Sequence, residues 1–134
     1  MFVDAAAIVA VLGDEAEAAR CAEAIKSATD RFTSSIAVWE AAMAVARADK
    51  LGLSIPDGFE IVRLFLEEHE IEIRQLPPPT EALAFSADAA LRFRGRKQSL
   101  NIADCFHYAC ARHYDAPMLS TADEFRFTDL KVVP

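Results

Sequence analysis

Short apolar segments recur along this chain, each closed by turn-forming or charged residues and followed by a longer stretch with helical spacing. That alternation limits the fold more than any other feature. Met1 to Val3, Arg31-Phe-Thr-Ser-Ser35, Ile71-Glu-Ile-Arg-Gln-Leu76, Pro117 to Ser120 and Lys131 to Val133 read as strands. Helices are predicted over the Ala/Val/Ile stretch after Asp4, and over Asp14 to Ala28, Ile36 to Leu51, Pro56 to Glu70, Thr80 to Phe93 and Leu100 to Tyr114. The serines ending the second strand can accept from the open N–H groups of the helix they precede. Pro56 suits a first helical turn, where its missing N–H costs nothing. Pro77-Pro78-Pro79 stops the third strand, since proline has no N–H for a ladder. The pattern predicts an α/β sandwich around a mostly parallel sheet.

Composition narrows the class further. The 134 residues are expected to form a single domain with one core, and no repeat or linker divides residues 1–134. Hydrophobic residues at 53%, charged residues at 26%, four glycines and six prolines exclude a disordered, collagen-like or low-complexity chain. No apolar run approaches the ~20 residues that cross a bilayer. The start, Met-Phe-Val-Asp, lacks a basic leader, so a cytoplasmic protein without a membrane partner is expected. Cys21, Cys105 and Cys110 form no CxxC pair and read as free buried thiols. A net charge of −7 argues against a broadly basic surface that coats nucleic acid. An enzyme that concentrates positive charge locally stays compatible with it.

Negative charge isolated inside apolar sequence is the strongest functional signal. Asp4 is the only charged side chain between Met1 and Gly13, Glu40 between Phe32 and Ala46, and Asp104 between Gln98 and Ala111. None has an opposite charge within a helical turn, and taking a carboxylate out of water costs several kcal/mol, as an order of magnitude, unless it is compensated. Asp123 follows the strand ending at Ser120, as Asp4 follows the first. In parallel sheets ligands sit beyond the carboxyl ends of the strands, so these four acids can share one cleft. Each, taken singly, also reads as a helix cap or a satisfied core group; Asp123 can cap the turn before Phe125. Together they would repel without a cation, and oxygen donors suit Mg²⁺ or Mn²⁺ rather than Zn²⁺. His69, His107 and His113 form no zinc pattern.

These residues carry a resemblance. Phe2-Val3-Asp4, the stretch from Ser34 to Glu40, Leu100-Asn101-Ile102-Ala103-Asp104-Cys105, Thr121-Ala122-Asp123-Glu124-Phe125 and Thr128-Asp129-Leu130 stand in an order and spacing that resemble the PIN-domain ribonucleases. The likeness is greatest to the VapC-type toxins of bacterial toxin–antitoxin pairs. It implies a three-layer α/β/α sandwich with a central parallel sheet. It also implies an Asp4, Glu40, Asp104 and Asp123 quartet that holds Mg²⁺ or Mn²⁺ for RNA hydrolysis, with Glu124 as an accessory acid. Two departures stand out. Ala6 occupies a position where the family commonly has a Ser or Thr hydroxyl, and Ala103 one where it has Gly. Ala6 also excludes an Asp-x-Asp phosphatase.

The expected function is therefore a metal-dependent endoribonuclease, the toxin of a type II pair. The alternatives are a non-catalytic PIN-like scaffold and a metal-dependent DNA nuclease. With no evident nucleophilic Ser, Cys or His constellation, direct hydrolysis fits better than a covalent intermediate. Arg92, Arg94, Arg96 and Lys97 are expected to contact RNA phosphates, the competing reading being a solvated helix end. The helix from Pro56 to Glu70 is apolar on more than one face. Either it is buried on both sides, or it offers a surface for a homodimer or a small antitoxin, as the resemblance implies.

Overall fold

A computed structural model describes residues 1–95 and 99–133. The chain runs β1 (Phe2–Val3), α1 (Ala5–Leu12), α2 (Ala18–Ser27), β2 (Phe32–Ser34), α3 (Ser35–Ala46), α4 (Ile55–Glu68), β3 (Glu72–Arg74), α5 (Pro79–Phe93), α6 (Ile102–His113) and β4 (Met118–Leu119). A 3₁₀ turn over Asp123–Phe127 and β5 (Val132–Val133) complete it. The five strands form one sheet in the order β3-β2-β1-β4-β5, with every pair parallel. The sheet expected to be mostly parallel is wholly so among the described residues.

Handedness sets the layers. The path β1 to β2 to β3 moves one way across the sheet, and β3 to β4 crosses back. Right-handed crossovers then place α1 to α4 on one face and α5 with α6 on the other. The result is the α/β/α sandwich. Central strands are covered on both sides: Phe2, Val3, Phe32, Met118 and Leu119 are all buried, which is why they read as unbroken apolar runs. β3 lies at an edge, so Ile73 is exposed, and Arg74 pairs with Asp30 and Glu72 while its guanidinium lies over the Phe32 ring.

Some expected helices are shorter. The helix predicted from Asp14 starts at Ala18, because Gly13 closes α1 and Asp14 turns through φ 49°. α3 stops at Ala46 rather than Leu51: the N–H groups of Leu51 and Gly52 fold back on the carbonyls of Val45 and Arg47, with Gly52 at φ 63°. α4 lies tightly on α3, since a Cβ at Gly58 would come 2.7 Å from the Ala42 carbonyl oxygen. That approach holds the helix carrying Glu40. α4 buries Val62, Phe65 and Leu66 while Ile55, Phe59 and Leu64 stay exposed, so it is not covered on both sides. The three cysteines are free and buried. Among the described residues no helix is long and apolar enough to cross a membrane.

Candidate functional site

Parallel strands end at one edge of the sheet, and there the chain must turn into its helices. Asp4 ends β1 and caps α1, accepting from the Ala6 N–H at 3.3 Å. Ser34 ends β2 and caps α3 through Ala37 N–H at 3.2 Å, which places Glu40 on the second turn above that edge. α6 runs back toward the start of β4, so its own beginning lies at the same edge. Asn101 and Asp104 form a reciprocal capping box there, with Asp104 accepting the Asn101 N–H at 2.6 Å. A cleft of about 270 Å³ opens at this edge, and Asp4, Glu40, Asp104 and Glu124 line it together with Asn101, Lys50 and Glu15.

The local role and the cleft role coexist. Asp4 and Asp104 are both helix caps and both nearly buried, at 3% and 9% exposure. Asp4 Oδ2 accepts the Ser120 hydroxyl at 2.6 Å, and its Oδ1 stands 2.8 Å from His107 Nδ1. Ser120 thus supplies a hydroxyl to the first acid where Ala6 has none to offer. Burial alone would raise the Asp4 pKa, but His107, Ser120 and the Ala6 N–H outweigh it and hold it below the usual carboxylate value. Asp104 is shifted upward, by burial first and then by the Asp4 and Glu124 charges, against the pull of the Asn101 N–H and His107. Glu40 is shifted upward too, by burial and by Asp4 and Asp104, with His107 opposing. No hydrogen bond reaches the Glu40 carboxylate among the described residues.

Asp123 does not join the other three. Its carboxylate is 71% exposed and lies 3.5 Å from Arg126, outside the cleft lining, and it makes no capping bond to its turn. Glu124 faces the cleft instead. The physical reason is rotation. Successive residues of a 3₁₀ turn point about 120° apart, and Phe125, fully buried, pins the turn.

The basic stretch divides in the same way. Arg92 is held by Asp88 and Asp129, each at 2.9 Å, and stacks on Phe93, away from the cleft. Arg94 is exposed and has no ion pair among the described residues. Arg96 and Lys97 lie outside the described residues.

Besides Ser120, sequence reasoning missed Lys50 and His107. Lys50, just beyond α3, lines the cleft while paired with Glu15; an exposed-looking lysine in a loop gave no signal. His107 is fully buried one helical turn beyond Asp104, between Asp4 and Glu40. Burial opposes its charge, yet Asp4, Glu40 and Asp104 together lift its pKa above the ordinary histidine value. Its i,i+3 spacing from an isolated acid, inside an apolar run, was the available clue.

The PIN domain profile matches residues 1–131. Over 99% of its length the chain is 29% identical to "VapC ribonuclease Mb0640" of Mycobacterium bovis, covering 98% of that protein. It is 31% identical to "Ribonuclease VapC" of Mycolicibacterium smegmatis, with 99% of each chain covered. It is 26% identical to "Ribonuclease VapC42" of Mycobacterium tuberculosis, over 98% of this chain and 97% of that one. A parallel sheet in this strand order, acids at its carboxyl edge and a profile match over nearly the whole chain converge: the chain belongs to the PIN domain family.

Proposed function

We propose that this protein is a metal-dependent endoribonuclease that hydrolyses RNA phosphodiester bonds in the cytoplasm, as the toxin of a type II toxin–antitoxin pair. The observation that carries this reading is the gathering of Asp4, Glu40, Asp104 and Glu124 on one cleft. Full-length similarity to proteins named VapC ribonucleases supports it.

The donor set fits Mg²⁺ or Mn²⁺. The donors are carboxylate oxygens, and a cation among them relieves the repulsion that helps raise Glu40 and Asp104. Asp4 and Asp104 would hold the ion, with Glu40 joining directly or through water and Glu124 completing the acidic wall. Among the described residues no three His, Cys, Asp or Glu side chains already stand close enough to hold an ion. Asp123, turned to Arg126, stays outside the set.

A divalent ion held there would supply Lewis acidity to the scissile phosphate and to an attacking water. The chain's own residues supply the positioning. Ser120 and the Ala6 N–H fix one oxygen of Asp4. Glu40, about one-third exposed, is placed to orient the water and take its proton. No cysteine lines the cleft, and Thr121 has no base hydrogen-bonded to it among the described residues. Direct attack by water therefore suits the site better than a covalent intermediate. Lys50 at the rim and exposed Arg94 would meet RNA phosphates. Ile55 and Phe59, exposed one turn apart on α4, offer apolar surface to a second copy or to an amphipathic antitoxin helix.

The test is cleavage of an RNA oligonucleotide in Mg²⁺ or Mn²⁺, its loss with EDTA, and its recovery when metal returns. Cleavage that resists the chelator overturns the metal mechanism. Growth arrest on expression, relieved by co-expressing a small neighbouring gene, tests the toxin role.

A further inference from the structure

His107 is placed where a packing residue would be easier to accommodate. Its side chain is fully buried, with the Phe2 ring 5.8 Å away between centroids. Neither ring nitrogen has an aligned hydrogen-bond partner: the contact with Asp4 Oδ1 is short, at 2.8 Å, but lies off the N–H axis. A buried polar group in that state costs free energy that an apolar side chain would not. Its two nitrogens instead face two acids on different elements. Nδ1 meets Asp4 at the end of β1, and Nε2 stands 3.6 Å from Glu40 Oε2 on α3.

The two acids are otherwise held very unequally. Asp4 is gripped on its other oxygen by Ser120 and the Ala6 N–H. For Glu40 the structure gives no hydrogen-bond donor among the described residues, and the nearest titratable nitrogen given is that of His107. One imidazole on α6 therefore stands between a carboxylate held on its other oxygen and one with no hydrogen-bond donor among the described residues.

We infer that His107 is a positioning residue, which lies buried between Asp4 and Glu40 and sets their separation for the divalent ion they share. The inference rests on the ion-binding reading of the cleft. It assigns no contact between His107 and the ion or the RNA, because the ring has no exposed surface. Groups that orient ligand side chains typically change metal affinity or activity by about 10–100-fold when removed.

The experiment compares wild type with H107L, H107N and H107Q by Mn²⁺ titration with electron paramagnetic resonance, alongside kcat and KM for RNA and thermal melting. H107L keeps the volume and removes both nitrogens. H107N keeps a donor near the Nδ1 position, facing Asp4; H107Q keeps one near Nε2, facing Glu40. Expected is a loss of Mn²⁺ affinity in H107L of about 10–100-fold, part of it recovered in H107Q, which still faces the otherwise unheld Glu40, and less in H107N, since Asp4 keeps Ser120 and the Ala6 N–H. kcat should fall in H107L while KM for RNA holds. Wild-type Mn²⁺ affinity in a folded H107L overturns the inference. Should H107L not fold, the order decides it: H107N binding Mn²⁺ as well as H107Q overturns the positioning role. Absence of Mn²⁺ binding in wild type is a separate result, and it overturns the ion-binding reading itself.

Discussion

Helix α6 faces two acidic environments that differ in every respect except residue type. Asp104 lines the cleft, with His107 buried against Asp4, and both Asp104 and Glu40 are shifted upward by burial first and then by neighbouring carboxylates, Asp4 in each case. Tyr108, the next residue, donates its hydroxyl to Asp129 at 2.8 Å. Arg92 reaches the other oxygen of Asp129 at 2.9 Å, and Arg112 approaches it at 3.9 Å. Burial would raise Asp129 as well, but Tyr108 and the arginines overcome it and hold its pKa below the carboxylate range. The contrast lies in where the arginines point. Those near α6 neutralise a structural acid, and Lys50, the cation lining the cleft, is tied to Glu15. Unneutralised buried acids mark the place where function outweighs stability.

The sharpest way to break this comparison is to neutralise one acid on each side. D104N should abolish RNA cleavage, whereas D129N should leave the initial rate on a fluorogenic RNA unchanged at a temperature where both are folded. An active D104N would remove the cleft from the chemistry.

Stability should respond in the opposite sense. In metal-free protein, D104N should unfold at or above the wild-type denaturant midpoint, since it removes a repelling charge. D129N, which weakens a partly exposed pair of hydrogen bonds, should lose about 1 kcal/mol. Adding Mn²⁺ at ~100 times its dissociation constant should stabilise wild type and D129N by about 2.7 kcal/mol and leave D104N unmoved. Equal metal responses in all three would erase the distinction.

The Tyr108–Asp129 side can be isolated by pH. Burial first, and then the bond to Asp129, push the Tyr108 pKa up to about 12. An acid held protonated in the fold stabilises it below the unfolded value of ~10, and that stability drains away as pH rises from there to about 12. Asp129 behaves conversely. Its contribution is complete above the ordinary carboxylate pKa and is lost as pH falls through its lowered one. Y108F should flatten the alkaline limb of a denaturation series, and D129N the acid limb. An alkaline limb unchanged in Y108F would show that Tyr108 is not the titrating group.

The smallest effect separates the basic residues. K50A and R94A should each shallow the logarithmic salt dependence of RNA binding by about 0.7 for every phosphate left without its cation. R92A should lower stability and leave that slope alone, because Arg92, bound to Asp88 and Asp129, does not line the cleft, whereas Lys50 does.

Much of this was legible from local pattern. Asp4, Glu40 and Asp104 stood out because an unpaired carboxylate inside an apolar run has to be explained, and each reaches the same cleft. Local pattern offered only the i,i+3 spacing from Asp104 as a pointer to His107. It offered none to Ser120, whose bond to Asp4 spans 116 positions. It also does not separate Asp123 from Glu124, since adjacent acids differ in sequence by one step and in a 3₁₀ turn by about a third of a revolution.

The sequence by itself determined the elements and their class: apolar runs too short for helices, prolines and glycines that end them, and serines and aspartates that cap the succeeding helices. Those depend on backbone hydrogen bonding within a few residues, so neighbours suffice. Only the tertiary structure decided which acids meet. Strand order brings Asp4 beside Ser120 and α6, and burial of Phe125 turns Glu124 inward and Asp123 out. The α3–α4 contact at Gly58 holds the helix that carries Glu40 against its neighbour. These outcomes follow from close packing between segments far apart in the chain, and no local pattern encodes the rotation that packing selects.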